Sequence, residues 1–131
     1  MTIKGRQGKK INYWCDGGVG KICVTNDNGE VFLEETEGTC NENEFKAMIL
    51  ALKKAQKDDI IFADSLLIIN QLTKVWKVKA QHLYPLFCEA SKLLKEKECT
   101  IEWVSRDFNR AGHILEGMGS DYKKEKFELL R

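Results

Sequence analysis

Three carboxylates carry the chemistry of which this sequence is capable: Asp16, Glu44 and Asp64. Asp16 closes a run of alternating character, Lys9-Lys10-Ile11-Asn12-Tyr13-Trp14-Cys15-Asp16, directly before Gly17-Gly18. Taken alone, such an acid reads as a turn residue. Asp64 follows the short apolar run Ile60-Ile61-Phe62-Ala63, and Glu44 lies in the first turn of a helical stretch between the two. If the strands that end at Asp16 and Asp64 are parallel neighbours, both acids emerge at their carboxyl ends, where the ligand sites of open α/β sheets lie. Glu44, at the edge of the stripe that packs on the sheet, points at the same place. Three carboxylates without a cation repel one another and raise each other's pKa. A hard divalent ion removes that conflict, and an all-oxygen donor set suits Mg²⁺ or Mn²⁺. Two such ions about 4 Å apart would activate a water and stabilise the leaving oxygen in phosphodiester cleavage.

Bringing the acids together requires particular elements around them. In the first strand Ile11, Tyr13 and Cys15 share one face, with Asn12, Trp14 and Asp16 on the other. The glycines that follow stop the strand and let another backbone come close. A second strand over Lys21–Asn26 leads into Asp27-Asn28-Gly29, a hairpin signal, and a third returns over Val31–Glu35. Phe45, Met48, Ile49 and Leu52 then form a helical stripe over 42–56, with Asn41 able to cap its start. The run 60–63 suits a strand covered on both faces, reached through a right-handed crossover and so parallel to its partner. Ser65 caps a short helix over 66–72, and a basic connector over 73–79 bears Trp76. A longer helix reaches Lys97 with Pro85 in its first turn. A fifth strand over 99–105, a polar loop over 106–112 and a C-terminal helical segment broken near Gly117-Met118-Gly119 complete the chain. The order β-β-β-α-β-α-α-β-α specifies an α/β fold. Its sheet is mixed and five-stranded, three antiparallel strands then parallel crossovers, with helices on both faces.

The 131 residues suffice for one domain, with a core over about 9–116 and a helical extension over 117–131. No apolar run approaches a bilayer span, and the N-terminal residues lack the apolar segment of a signal peptide, so the expectation is a cytoplasmic protein with no membrane partner. Five cysteines, Cys15, Cys23, Cys40, Cys88 and Cys99, form an odd set without C-x-x-C spacing, which argues against both a disulfide framework and a zinc site. Mostly buried, reduced thiols are expected. The net charge of +1 selects no partner. Cations do cluster at Lys4, Arg6, Lys9 and Lys10, at Lys74, Lys77 and Lys79, and at Lys123, Lys124 and Lys126, although such clusters are commonly solvated faces.

With those residues in place, the sequence resembles the type 1 ribonuclease H enzymes. The matching pieces are Tyr13-Trp14-Cys15-Asp16-Gly17, Thr39-Cys40-Asn41-Glu42-Asn43-Glu44-Phe45-Lys46-Ala47 and Ala63-Asp64-Ser65-Leu66-Leu67-Ile68-Ile69-Asn70-Gln71-Leu72. Trp76-Lys77-Val78-Lys79, Leu83-Tyr84-Pro85-Leu86 and Trp103-Val104-Ser105-Arg106-Asp107-Phe108-Asn109-Arg110-Ala111 follow in order. The likeness covers roughly 10–116, and around Asp64 and Trp76 it looks most like the short archaeal and Bacillus-type branch, which lacks a long basic insertion. The resemblance implies hydrolysis of the RNA strand of an RNA–DNA hybrid, dependent on Mg²⁺ or Mn²⁺; a monomer without an obligate protein partner is the accompanying expectation. It also implies that Asp16, Glu44 and Asp64 are three of four metal ligands, Asp16 bridging two ions. Gly17, Thr39, Cys40 and Asn41 match positions that face the hybrid. Asn70 matches a residue that meets RNA 2′-hydroxyls, and Trp76 with Lys77 falls where the family channels the DNA strand. Core packing is the alternative reading of Trp76.

The sequence departs from the family's pattern at three places. Where members carry Ala-Asp at the start of the last helix, supplying the fourth ligand, this chain has Gly112-His113. Histidine holds that position in some related nuclease superfamilies, including argonautes, and its softer imidazole should favour Mn²⁺ over Mg²⁺. The alternatives are that His113 is a surface or capping residue, or that Glu116 one turn later substitutes. Cys40 stands where the family has Asn, and the first hairpin, Gly17-Gly18-Val19-Gly20-Lys21, is shorter than the family's. His82 has no motif around it and reads as a surface residue at a helix start. The leading expectation is therefore a two-metal endonuclease acting on hybrids. Its rivals are a weakened or silent hybrid-binding domain and a nuclease of this fold with another nucleic-acid substrate.

Overall fold

β1 (Asn12–Gly17) is the central strand of the sheet, and its neighbours run in opposite senses. On one side β2 (Lys21–Asn26) pairs with it antiparallel, and β3 (Val31–Glu35) pairs antiparallel with β2 at the sheet's edge. On the other side β4 (Ile60–Ala63) pairs parallel with β1, and β5 (Thr100–Trp103) pairs parallel with β4. The order β3-β2-β1-β4-β5 is the five-stranded mixed sheet expected from the sequence. This computed structural model describes residues 9–118. Residues 119–131 of the extension expected over 117–131, and the cations at Lys4, Arg6, Lys123, Lys124 and Lys126, lie outside them.

The alternation of β1 becomes a two-sided core. Tyr13 and Cys15 face α1 (Cys40–Lys54), whose Phe45, Met48 and Leu52 are fully buried against them together with Val24 and Ile61. α3 (Tyr84–Lys97) packs beside α1 on this side, with Pro85 in its first turn, where the missing N–H is an orphan in any case. Trp14 takes the opposite face, joining Cys23 and Ala111 under α4 (Arg110–Met118). There it stacks on Phe62 at 5.6 Å and carries the Arg110 guanidinium 4.2 Å above its ring. Helices thus cover both faces. Among the described residues, no helix is long and apolar enough to cross a membrane.

Two connections fix the strands that carry the acids. Asp59 is fully buried just before β4, and its carboxylate accepts from Ile11 N at 2.9 Å and Gln56 N at 2.8 Å. It therefore ties the start of β1 to the end of the crossover. In α2 (Leu66–Leu72) Ser65 Oγ accepts from Ile68 N at 3.2 Å, the expected N-cap, so the chain turns from strand to helix immediately after Asp64.

Several boundaries differ from the expectation. α1 is capped by Thr39, not Asn41: Thr39 Oγ1 accepts from Glu42 N while Glu42 Oε1 accepts from Thr39 N, a reciprocal capping box. The helix accordingly covers 40–54 and leaves Asn41 exposed in its first turn. The loop expected over 106–112 is a short 3-10 turn, Arg106–Phe108, and α4 already starts at Arg110 because Asn109 caps it. α4 then continues through Gly117 to Met118, while Gly119, the last residue of the expected break, lies outside the described residues. Cys15, Cys23 and Cys99 are buried, whereas Cys40 and Cys88 are exposed.

Candidate functional site

Register alone brings the two aspartates together. Trp14 lies opposite Phe62 in the parallel β1–β4 pair, so two residues further along each strand Asp16 comes level with Asp64. Both stand at the carboxyl edge of the sheet, at the point where β1 changes from an antiparallel to a parallel neighbour. Glu44 arrives from α1. Its Oε1 accepts a 2.9 Å hydrogen bond from the Gly17 backbone N–H, which aims the side chain at the end of β1. One oxygen from each of Asp16, Glu44 and Asp64 lies within 4.8 Å of the others, and all three side chains are half-buried.

Glycine at 17 makes this approach possible. A Cβ there would overlap the backbone carbonyl of Asn43 and lie 2.6 Å from Glu44 N, so strand and helix backbones meet without an intervening side chain. Gly18 has open space at the same position. The buried Asn43 closes the junction, its Nδ2 donating to Gly18 O at 2.7 Å. The short first hairpin is completed by Gly18 N donating to Lys21 O at 2.9 Å, with Gly20 at φ +78.

The electrostatics of the three acids are those of a cation site. Burial, first, and then the Asp16 charge push the Glu44 carboxyl up to about 8; the bond from Gly17 N–H opposes this, Asp64 adds to it, and Arg106 partly offsets it. Behind them Cys15 is fully buried, and burial followed by the charges of Glu44, Asp16 and Asp64 raises its thiol well above the usual range, so it stays neutral. The donor set fits a hard divalent cation. It is all oxygen, it is preassembled, and its mutual repulsion is the cost that such an ion removes.

The remaining sequence-derived candidates fall into two places. Thr39, Cys40 and Asn41 are exposed at the N-terminal end of α1, Cys40 one turn ahead of Glu44 on the same helical face. Asn70 and Trp76 are brought together: the Asn70 carbonyl accepts from Val75 N at 2.8 Å and from Trp76 N at 3.0 Å, closing the end of α2 onto the basic connector. Trp76 is 48% exposed, which decides against core packing, and Lys77 is exposed beside it. His82 sits exposed in the 3-10 turn Gln81–Leu83 ahead of α3. His113 is exposed in the first turn of α4 and is not brought into the group of three acids. That turn does lie over the site: a Cβ on Gly112 would stand 3.4 Å from Asp16 Oδ2.

Two contacts at the site involve residues that the sequence reading passed over. Trp103, at the end of β5, donates from its indole Nε1 to the Asp64 backbone carbonyl at 3.1 Å. Asn109 Nδ2 donates to Asp64 Oδ2 at 3.0 Å and to Cys15 O at 3.0 Å. Trp103 and Asn109 both lie within the stretch Trp103–Ala111 that resembles the family. Nothing in the spacing of a lone Trp and a lone Asn marks them as neighbours of an acid 39 or 45 positions away.

Comparison with known proteins agrees with this geometry. A family model described as reverse transcriptase-like matches residues 15–118. The bifunctional protein Rv2228c of Mycobacterium tuberculosis is 30% identical over 101 residues, covering 70% of this chain and 28% of that protein. This chain thus spans less than a third of the length of the curated relatives it matches. Among solved structures, an RNase H1 from the halophilic archaeon Halobacterium salinarum superposes with a TM-score of 0.70 at 22% identity, covering 85% of this chain and 98% of that one. LC11-RNase H1 in complex with an RNA/DNA hybrid superposes with a TM-score of 0.66 at 23% identity, covering 77% and 89%. The family match spans every acid of the site and the helix that lies over it, and the chain belongs to the reverse transcriptase-like family, with the ribonuclease H fold.

Proposed function

We propose that this protein is a divalent-metal-dependent endonuclease that hydrolyses the RNA strand of RNA–DNA hybrids. The observation that carries the proposal is the grouping of Asp16, Glu44 and Asp64 within 4.8 Å at the carboxyl edge of the sheet. Support for the substrate comes from LC11-RNase H1, a neighbour of the same fold whose structure holds an RNA/DNA hybrid. Asp16, Glu44 and Asp64 are the residues that would hold the metal; His113, exposed and outside their group, would join them as a fourth ligand only by a movement of its side chain. When bound, Mg²⁺ or Mn²⁺, two ions per site with substrate, supplies Lewis-acid activation of the phosphate and of water and stabilises the leaving oxygen.

The protein's own residues do the positioning. Gly17 N–H holds Glu44 to the end of β1, so the carboxylate is oriented before anything binds. The exposed first turn of α1, with Thr39, Cys40 and Asn41, offers small polar contacts to one stretch of nucleic-acid backbone. Trp76, flanked by Lys74, Lys77 and Lys79, offers an aromatic surface among cations to the other strand, with Asn70 joined to it through the backbone.

Labelled hybrid, duplex RNA and duplex DNA, each with Mg²⁺ or with Mn²⁺, form the test. The expected outcome is cleavage of the RNA strand of the hybrid alone, abolished in Asp16→Asn with the circular dichroism spectrum unchanged. The exposure of His113, where the family carries an acid, favours one second reading: a domain that binds hybrids without cutting them. Binding without cleavage under both metals would establish that reading and remove ours. His113→Asp should move the metal preference toward Mg²⁺; an unchanged profile would show that His113 is no ligand.

A further inference from the structure

Asn109 has no exposed surface, and it uses every polar atom of its side chain. Nδ2 carries two protons, one donated to Cys15 O at 3.0 Å and one to Asp64 Oδ2 at 3.0 Å. Oδ1 faces the backbone N–H groups of Ala111 at 3.1 Å and Gly112 at 3.4 Å, at the start of α4. One side chain therefore joins three elements at the site: the end of β1, the carboxyl end of β4, and the first turn of α4. Its partners leave no freedom in the amide's orientation, since two acceptors flank the nitrogen and two donors flank the oxygen. An aspartate of the same size would set a carboxylate against the Asp64 carboxylate and the Cys15 carbonyl. The position thus selects an amide on chemistry as well as shape.

We propose that Asn109 is the positioning residue of the metal site: it draws Asp64 Oδ2 aside, so that Asp64 offers its other oxygen as a single ligand, and by the same amide it seats α4 over Asp16. The inference rests on the reading of Asp16, Glu44 and Asp64 as metal ligands. Without the tether, the Asp64 side chain would rotate about its two torsions and present either oxygen or both. The three acids would then have to be gathered by the ion instead of waiting for it. Partners of this kind behind a metal ligand, when removed, cost about 10- to 100-fold in metal affinity or activity. The same side chain sets the helix: its bonds to Ala111 and Gly112 place the Gly112 backbone against Asp16, where a Cβ would stand 3.4 Å from Oδ2.

Asn109→Ser separates the two tasks, because serine is a good N-cap but too short to reach Asp64. Asn109→Asp is the second variant, keeping size and capping oxygen while replacing the donor by an acceptor. Three readouts apply to each: thermal melting, Mn²⁺ affinity by electron paramagnetic resonance without nucleic acid, and kcat and KM on the hybrid. For Asn109→Ser the expected result is a retained fold, Mn²⁺ binding weaker by about 10- to 100-fold, kcat reduced with KM for the hybrid held, and partial recovery of kcat at high Mn²⁺. A purely structural role would lower kcat without recovery by metal, and that outcome would overturn the proposal, as would a folded Asn109→Ser with wild-type Mn²⁺ affinity. Should Asn109→Ser not fold, Asn109→Asp decides by the same comparison. Wild-type protein that binds Mn²⁺ without cutting hybrid defeats the proposed activity, while the Mn²⁺ comparison still tests Asn109. Wild-type protein that binds no Mn²⁺ defeats both.

Discussion

Glu44 is held half-buried beside two other acids, and the physical consequence is a stability that depends on pH in an uncommon direction for a carboxylate. Burial and the Asp16 charge raise its folded-state pKa from 4.5 to about 8. The folded protein therefore holds a proton that the unfolded chain has lost across that window. The number of protons bound is larger in the native state, so stability falls as pH rises from the unfolded value toward the folded one. In metal-free protein the slope from this group is at most about 1.4 kcal/mol per pH unit. Urea denaturation at a series of pH values should show stability declining from pH 5 to pH 8, and Glu44→Gln should flatten that decline; parallel curves would show that Glu44 carries no raised pKa. At the same scale, the acids could be picked out from sequence because each stands where a strand or helix must end or begin. Asn109 could not, because what distinguishes it is complete burial and four satisfied bonds.

At the scale of elements, the junction of β1 with α1 is the critical fitting. Its closeness depends on Gly17, where an added methyl would meet the backbone carbonyl of Asn43, a group that cannot swing aside as a side chain would. Gly17→Ala should cost about 1–3 kcal/mol of stability. It should also reduce cleavage by more than the stability loss explains, since the helix displaced is the one that carries Glu44. Gly18→Ala, with open space at its Cβ, should stay within about 0.5 kcal/mol of wild type. Equal melting temperatures and activities for the two variants would show that the close approach is not what positions Glu44. Capping explains the main boundary error. Thr39-Cys40-Asn41-Glu42 contains the Thr-x-x-Glu signature of a capping box, yet Asn41 is an equally acceptable cap on local grounds. The reciprocal bond of Glu42 to Thr39 N decides between them.

Over the whole molecule, the site exists because β1 is central. Its parallel partner supplies Asp64, and helices from opposite faces, α1 and α4, converge on the same end of it. A divalent ion that binds this arrangement and not the unfolded chain must stabilise the fold, by about 2.7 kcal/mol at a free concentration of 100 times its Kd. Added Mn²⁺ should raise the melting temperature of the wild-type protein, and should have no effect on a double variant, Asp16→Asn with Asp64→Asn. An equal rise in both would place the ion elsewhere.

Element order, the amphipathic stripes of α1 and α3, the hairpin at Asp27-Asn28-Gly29 and the identity of the three acids were all contained in the sequence. Each depends on periodicity or on a local backbone preference that neighbouring residues express by themselves. The strand register, the close approach at Gly17, the pairing of Asn70 with Trp76 and the fourfold engagement of Asn109 were decided only by the tertiary structure. Burial and hydrogen-bond geometry between distant segments have no period and no local signature. An asparagine in a polar stretch becomes the centre of a site only when three separate elements meet around it.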